Sequence, residues 1–321
     1  MYKVEKITKE NIKELEFAYN DFYMRSYSDY GFEILPLEFR DIESFVESGI
    51  LNIFGLFHNN ILKGFLIYNI IVEVVELSIM HCVGGDDIVA KKSALMQALK
   101  DEVSGKGYKL ISYAMMGIQK DFIVKSAQFD FEYVGQAIVN FKFSNEKSVQ
   151  IFNKVKDRPT PEGIEIVNWD MKYAQDLIKL INESFANMQD YKFDPRFLTL
   201  SGCEDILVKI VENIYGTFMP NKTKILLENG VPKGFCFVNL TTDNIANIPI
   251  IGISPELKYK GLGQLLLTKA IEGLINDVMQ GKLPLIELNA TVDTDNLPAL
   301  NIYRKLGFKE SSNYLQTYCN L

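Results

Sequence analysis

Apolar residues in the second half of the chain first recur in a short run and then at helical spacing. Leu267, Ile271, Leu274, Ile275 and Val278 fall at i, i+4, i+7, i+8 and i+11, which predicts an amphipathic helix ended by Gly281. The stretch IPIIGI before it (residues 248–253) reads as a strand interrupted by Pro249 and Gly252, residues that inside strands mark a bulge or an edge. Two further stretches, FGLFHNNILKGFLIYN (54–69) and ILLENGVPKGFCFVN (225–239), read as hairpins. Their turns, Asn59-Asn60 and Asn229-Gly230, are built from residues that tolerate positive φ.

The hairpins belong to a longer repeat. Lys63-Gly64 matches Lys233-Gly234 at an offset of 170 residues, and YKVEKITKENIKELEFAYNDFY and IEIVNWDMKYAQDLIKLINESF each give a short strand followed by an amphipathic helix. Downstream, IVAKKSALMQALKDEV stands where KYKGLGQLLL begins the helix of the second half. Each half then continues with a strand (YKLISYAM; LIELNA), a short helix and a closing strand. The order predicts an α+β fold of two tandem copies, residues 1–150 and 160–321, joined near residues 146–163 where KDRPTPEG gathers charge and proline.

Composition narrows the class. The chain has 321 residues, 47% hydrophobic and 23% charged, which fits two folded domains rather than a disordered chain. A net charge of −7 argues against a general nucleic-acid partner. The longest greasy stretch, residues 64–80, carries Asn69, Glu73 and Glu76 and reads as two strands, too short for a membrane span. The amino terminus lacks the apolar core of a signal peptide, and the four cysteines (Cys82, Cys203, Cys236, Cys319) form no CxxC pair, which together predict a cytoplasmic protein with reduced thiols. With only His58 and His81 present, a histidine triad or histidine-rich metal site in the second half is excluded, and no metal is expected.

Candidate chemistry concentrates at KYKGLGQLLL. Gly261 and Gly263 sit where a strand gives way to a helix, so bare amides can meet an anion, with Lys258 and Lys260 adding charge. Close packing of helix on strand would explain the same glycines. At an offset of 170 they fall on Lys91 and Ser93, so the first copy lacks them. Some thirty residues on comes DTDNLPALNIYRKLGF: Asn296 suits an N-cap, Pro298 a first helical turn and Gly307 a left-handed C-cap, with Tyr303 on the face of Ala299, Ile302 and Leu306.

The two stretches together resemble the signature motifs of the GCN5-related N-acetyltransferases, V-x-P-x-x-[R/Q]-G-x-G-x-[G/A] and N-x-x-A-x-x-x-Y-x-x-x-G-F. Ile253, Pro255, Gly261, Gly263, Asn296, Ala299, Tyr303, Gly307 and Phe308 fall on matching places, while Lys258 stands where that family prefers Arg or Gln and Tyr259 where it often has Gly. The resemblance covers residues 163–321 directly and the first half through the repeat. It implies a mixed, splayed, mostly antiparallel sheet in each copy, with acyl-coenzyme A, acetyl-coenzyme A above all, wedged where two parallel strands part. By that resemblance its pyrophosphate meets the amides of Lys258, Tyr259, Lys260, Gly261, Leu262 and Gly263, its pantetheine pairs with Ile251 and Ile253, and Asn296 and Tyr303 complete the binding set.

The implied reaction is direct attack of a small-molecule or peptide amine on the thioester, with Tyr303 as the acid for the departing thiolate. Glu287 is a candidate base acting through water, and Asp293 is another. Residues 183–202 fall where the resemblance puts the substrate wall, and offer Asp190 and Asp194 to a cationic amine. In the first copy Ser126 takes the place of Tyr303 and Asp130 that of Gly307, so that copy is expected to be catalytically silent. A noncatalytic sensor of coenzyme A or a metabolite is the alternative.

Overall fold

The structure is a computed structural model that describes residues 2–31, 36–71, 73–117 and 120–321. Contacts divide the chain into two units, residues 1–134 with 314–321, and residues 135–313.

The first unit runs β1 (Lys3–Ile7), α1 (Glu16–Tyr30), α2 (Phe39–Glu47), β2 (Asn52–His58), β3 (Ile61–Ile71), β4 (Val74–Cys82), α3 (Ile88–Val103), β5 (Leu110–Met115) and α4 (Lys120–Ser126), and holds the beginning of β6 (Glu132–Lys142). Strands β1 to β4 pair antiparallel, and β4 then pairs parallel with β5 from Val74↔Leu110 to Leu77↔Tyr113. Alternation along the central strands feeds two cores, as a sheet covered on both faces requires. Leu15, Tyr19, Phe22, Phe65 and Ile67 pack on the α1 face, and Leu66, Val75, Leu95, Leu99 and Ile111 pack with α3 on the other. Asn59 and Asn60 both have positive φ, 52° and 60°, the backbone that a two-residue hairpin turn needs to match strand twist.

The second unit takes up the rest of β6 and continues with α5 (Glu146–Val155), β7 (Ile164–Asn168), α6 (Ala174–Phe185), α7 (Leu200–Val211), β8 (Thr217–Phe218), β9 (Lys224–Glu228), β10 (Val231–Cys236), β11 (Asn239–Thr242), β12 (Ile245–Ile248), β13 (Ile251–Ile253), α8 (Leu262–Met279), β14 (Glu287–Asp293) and α9 (Leu297–Lys305). The last strand, β15 (Lys309–Asn320), begins in this unit, and its end pairs antiparallel with β5 in the first, Leu315↔Met115 to Asn320↔Leu110. Half of the segment that reads as a linker is therefore helical. Asn145 caps α5 by accepting from the Ser148 amide at 3.2 Å.

Two copies of one topology are visible in detail. The Val83 amide donates to the Lys63 carbonyl at 2.9 Å, and 170 or so residues on the Ser254 amide donates to the Lys233 carbonyl at 2.8 Å. Each hairpin glycine makes room for the neighbouring strand: a Cβ on Gly64 would lie 2.9 Å from Cys82 Sγ, and one on Gly234 would lie 2.5 Å from Ile253 Cδ1.

The second copy differs at one strand. Pro249 cannot donate to a ladder, and around it the run IPIIGI changes partners. Before it, β12 pairs parallel with β14 from Ile245↔Glu287 to Ile248↔Ala290; after it, β13 pairs antiparallel with β10. One chain segment thus belongs to two sheets that part at Pro249. Helix α8 buries Leu262, Leu265, Leu266, Leu267, Ile271 and Leu274 beneath the parting, each side chain contributing about 1.5–3 kcal/mol.

Candidate active site

The parting leaves β13 as the edge of its sheet. Phe237 donates to the Ile250 carbonyl and Ser254 to that of Lys233, so the even-numbered residues bond toward β10. Antiparallel ladders alternate, and the amides of Ile251 and Ile253 therefore face the open side. There they are available to a ligand lying as an added strand.

Past the short turn Pro255–Leu257, the backbone goes left-handed at Tyr259 (φ 65°) and again at Gly261 (φ 78°) before α8 begins. Gly261 has no side-chain cap, and among the described residues no group takes up the first amides of α8. Tyr259 is 92% exposed. The reason for Gly263 can be read directly: a Cβ there would sit 3.6 Å from Ile253 Cγ1 and 3.7 Å from Ile302 Cδ1, ordinary contact distances. Close packing of helix on strand does not demand that glycine. At Gly261 the φ alone does.

Arg158 is the residue that sequence reading missed. Its guanidinium reaches from the proline-rich stretch to the turn, Nη1 donating to the Gly261 carbonyl at 3.4 Å, and it would collide with any Cβ at Gly261. Lys258, by contrast, directs Nζ at Met188 Sδ, 3.8 Å away. The planar cation that the sequence lacks at 258 is thus present at the turn from another segment. Lys260 is exposed beside it.

Helix α9 is built as its sequence predicts. Asn296 accepts from the Ala299 amide at 3.2 Å, which occupies its side-chain oxygen as a cap, and Pro298 stands in the first turn. Gly307 (φ 95°) ends the helix against α5, where a Cβ would meet the Ser148 carbonyl at 2.6 Å. Tyr303 is 3% exposed and stands edge-on to Phe308 with ring centroids 5.0 Å apart. Burial, with Cys236 adding to it, holds its phenol above the ordinary range, and burial pushes the Cys236 thiol up to about 12. Tyr303 therefore keeps its proton at any physiological pH.

The carboxylates separate into three settings. Glu287 stands at the start of β14 opposite Ile245, before the sheets part, and both of its oxygens accept from Asn140 Nδ2 at 3.2 Å. Asp293 ends the same strand, six residues or roughly 20 Å along it, on the side where the sheets have opened. Asp194 is held by Arg196, Oδ2 accepting from Nη2 at 2.6 Å, with Asp205 on the same guanidinium at 3.0 Å, so it belongs to a structural ion cluster. Among the described residues Asp190 has no such partner. Burial, with the charges of Asp293 and Asp194, raises it to about 6. Burial also raises Asp293, opposed by a hydrogen bond from the Asp295 amide; the Asp295 charge adds to the rise and Lys192 opposes it.

In the first unit the corresponding places are filled differently. Lys91 Nζ turns back to donate to the Val83 carbonyl at 3.1 Å, Ser126 Oγ to that of Ile123 at 2.7 Å, and Asp130 (φ 62°) takes the left-handed place of Gly307. His81 is buried between Asp21 (2.9 Å) and Tyr30 (2.8 Å), and burial lowers its pKa. All four cysteines are buried and unpaired, and among the described residues no group of His, Cys, Asp or Glu is arranged to hold a metal and no helix is long and apolar enough to cross a membrane.

Residues 194–308 match the family model described as Acetyltransferase (GNAT) family. No curated protein matches the chain. Solved structures do. A tandem GNAT protein from the clavulanic acid biosynthesis pathway aligns over 100% of this chain and 98% of its own, at 11% identity and TM-score 0.62. A GCN5-related N-acetyltransferase from Sphaerobacter thermophilus aligns over 99% and 95%, at 11% identity and TM-score 0.66. A GNAT-family acetyltransferase from Colwellia psychrerythraea covers 99% of each chain at 12% identity and TM-score 0.52. Residues 194–308 thus match a GNAT domain, and the chain as a whole has the tandem GNAT fold.

Proposed function

We propose that the second unit transfers an acyl group, acetyl in the simplest case, from acyl-coenzyme A to a primary amine that attacks the thioester directly. The donor's diphosphate rests on the opening amides of α8 from Gly261 to Gly263, with Arg158 and Lys260 as cations, and its pantetheine arm pairs with Ile251 and Ile253 on the free edge of β13. An amide of that edge faces the thioester oxygen and stabilises its developing charge. Tyr303, protonated throughout, supplies the proton to the departing thiolate.

The observation that carries this reading is Gly263. It is a glycine at a helix start with room for a side chain, beside a left-handed glycine over which a guanidinium lies. A diphosphate against the backbone explains all three features, and intramolecular packing explains only one.

The first unit, with Lys91 folded over the equivalent turn and no tyrosine at Ser126, is assigned no part in the transfer. The test is thiol release from acetyl-coenzyme A by the purified protein across a panel of amines. Release that depends on an amine supports transfer; tight coenzyme binding with no release for any amine supports a noncatalytic sensor instead.

A further inference from the structure

Gln136 on β6 and Asp293 on β14 stand directly opposite one another in an antiparallel ladder. Residues so paired project to the same face, with Cβ atoms about 5 Å apart. Their neighbours Ala137, Val139, Ala290 and Val292 point the other way, into the core beneath α8 and α9, so this pair lies on the opposite face. Gln136 is 5% exposed, and its Nε2 has no hydrogen-bond partner among the described residues. A buried donor left unpaired is destabilising and calls for an acceptor from outside the chain.

A second carboxylate acts on Asp293 from another segment. Asp190, in the turn after α6, interacts with the charge of Asp293. The charged groups acting on the two carboxylates are Asp194, itself held by Arg196, together with Asp295 and Lys192. The corner therefore offers the Asp293 carboxylate beside an unmatched donor, with the charge of Asp190 acting on it, at the end of β14 where the sheets have parted.

We infer that this corner is the acceptor site, taking a primary amine whose ammonium lies against Asp190 and Asp293 and whose neighbouring carbon bears a neutral oxygen that accepts from Gln136 Nε2. The inference rests on the acyltransferase reading and adds the acceptor's class to it. A carboxylate in place of the neutral oxygen would face two acids and is disfavoured. The chemistry fits a 2-amino alcohol, including an amino sugar, or an α-amino amide.

The carboxylates also complete the proton balance. One takes the first proton from the ammonium and passes it to solvent. The freed nitrogen forms the C–N bond as the C–S bond breaks, and the second proton lost from nitrogen offsets the one gained by the thiolate. The net release is one proton.

The test compares matched amines at saturating acetyl-coenzyme A: 2-aminoethanol against propylamine, with glucosamine and glycinamide as separate arms for the two oxygen types. The native protein is predicted to favour the oxygen-bearing amines at least tenfold in kcat/KM. Gln136→Leu should erase that preference with coenzyme A affinity unchanged, and Asp190→Asn should remove the acid limb of the pH profile of kcat/KM. Calorimetric binding of the amines in the presence of coenzyme A examines the corner without turnover. Binding that Gln136→Leu weakens supports the acceptor site even if no thiol is released, a result that would overturn only the transfer reading. Equal use and equal binding of aminoethanol and propylamine, or a preference untouched by Gln136→Leu, overturns the acceptor site while leaving acyl transfer standing.

Discussion

Arg158 Nη1 lies 3.4 Å from the carbonyl oxygen of Gly261, across 103 residues of sequence. The contact brings a guanidinium to a helix start whose own flanking cations are lysines. Lysine carries the charge without the planar fork that grips phosphate oxygens in pairs, and Arg158 restores that geometry.

Arg158→Ala is therefore expected to raise KM for acetyl-coenzyme A by about 10-fold or more, the size of one charge-assisted hydrogen bond, with kcat little changed. Arg158→Lys should recover part of the loss. With S-acetylpantetheine, which has no diphosphate, the native and Arg158→Ala proteins should have the same KM. A loss of equal size for both donors would place Arg158 in folding rather than in phosphate binding.

Tyr303→Phe removes one oxygen from a buried ring and keeps its contact with Phe308. Turnover is expected to fall by about 10²-fold while coenzyme A affinity stays within twofold. Unchanged turnover from pH 6 to 9 would remove Tyr303 from the acid role.

Asp190 carries a stability signature of its own. Its folded pKa of about 6 lies above the ordinary carboxylate value, so between those two pH values the folded state binds more protons than the unfolded state. Its contribution is thus favourable in acid, fades as pH rises through about 6 and leaves a penalty at pH 7 on the order of 1–3 kcal/mol. Asp190→Asn should raise Tm at pH 7 and flatten the loss of stability between pH 4 and 7, as read by thermal melts at several pH values. A Tm lowered at pH 7 would contradict the burial argument.

What was legible in the sequence was what short-range chemistry encodes. Positive-φ residues announce the hairpins, apolar spacing announces α8, and the sequence around Asn296, Pro298 and Gly307 announces both ends of α9. The repeat revealed two copies because Lys63-Gly64 and Lys233-Gly234 do the same mechanical job in each.

What stayed hidden depends on register and on distant contacts. Nothing local says that Glu287 faces Ile245, at the end of β14 away from the opening, or that Asp293 and Gln136 are cross-strand neighbours. Asp194 reads as a free loop carboxylate until Arg196 is seen to hold it. Arg158 and α5 lie in a stretch whose prolines and charges resemble a linker, and no pattern places the last residues of β15 in the first unit.

The diphosphate cradle at the start of α8 is tested most directly by Gly263→Ala. Because a Cβ there meets only ordinary contacts, the substitution should leave the fold intact and stabilise it slightly, by up to about 1 kcal/mol, since alanine restricts the unfolded chain. Calorimetric titration with coenzyme A is the deciding measurement: the account predicts affinity at least tenfold weaker for the variant, with Tm equal to or above that of the native protein. Equal affinity in the two proteins would mean that no ligand backbone lies against Gly263, and the account would be wrong at its centre.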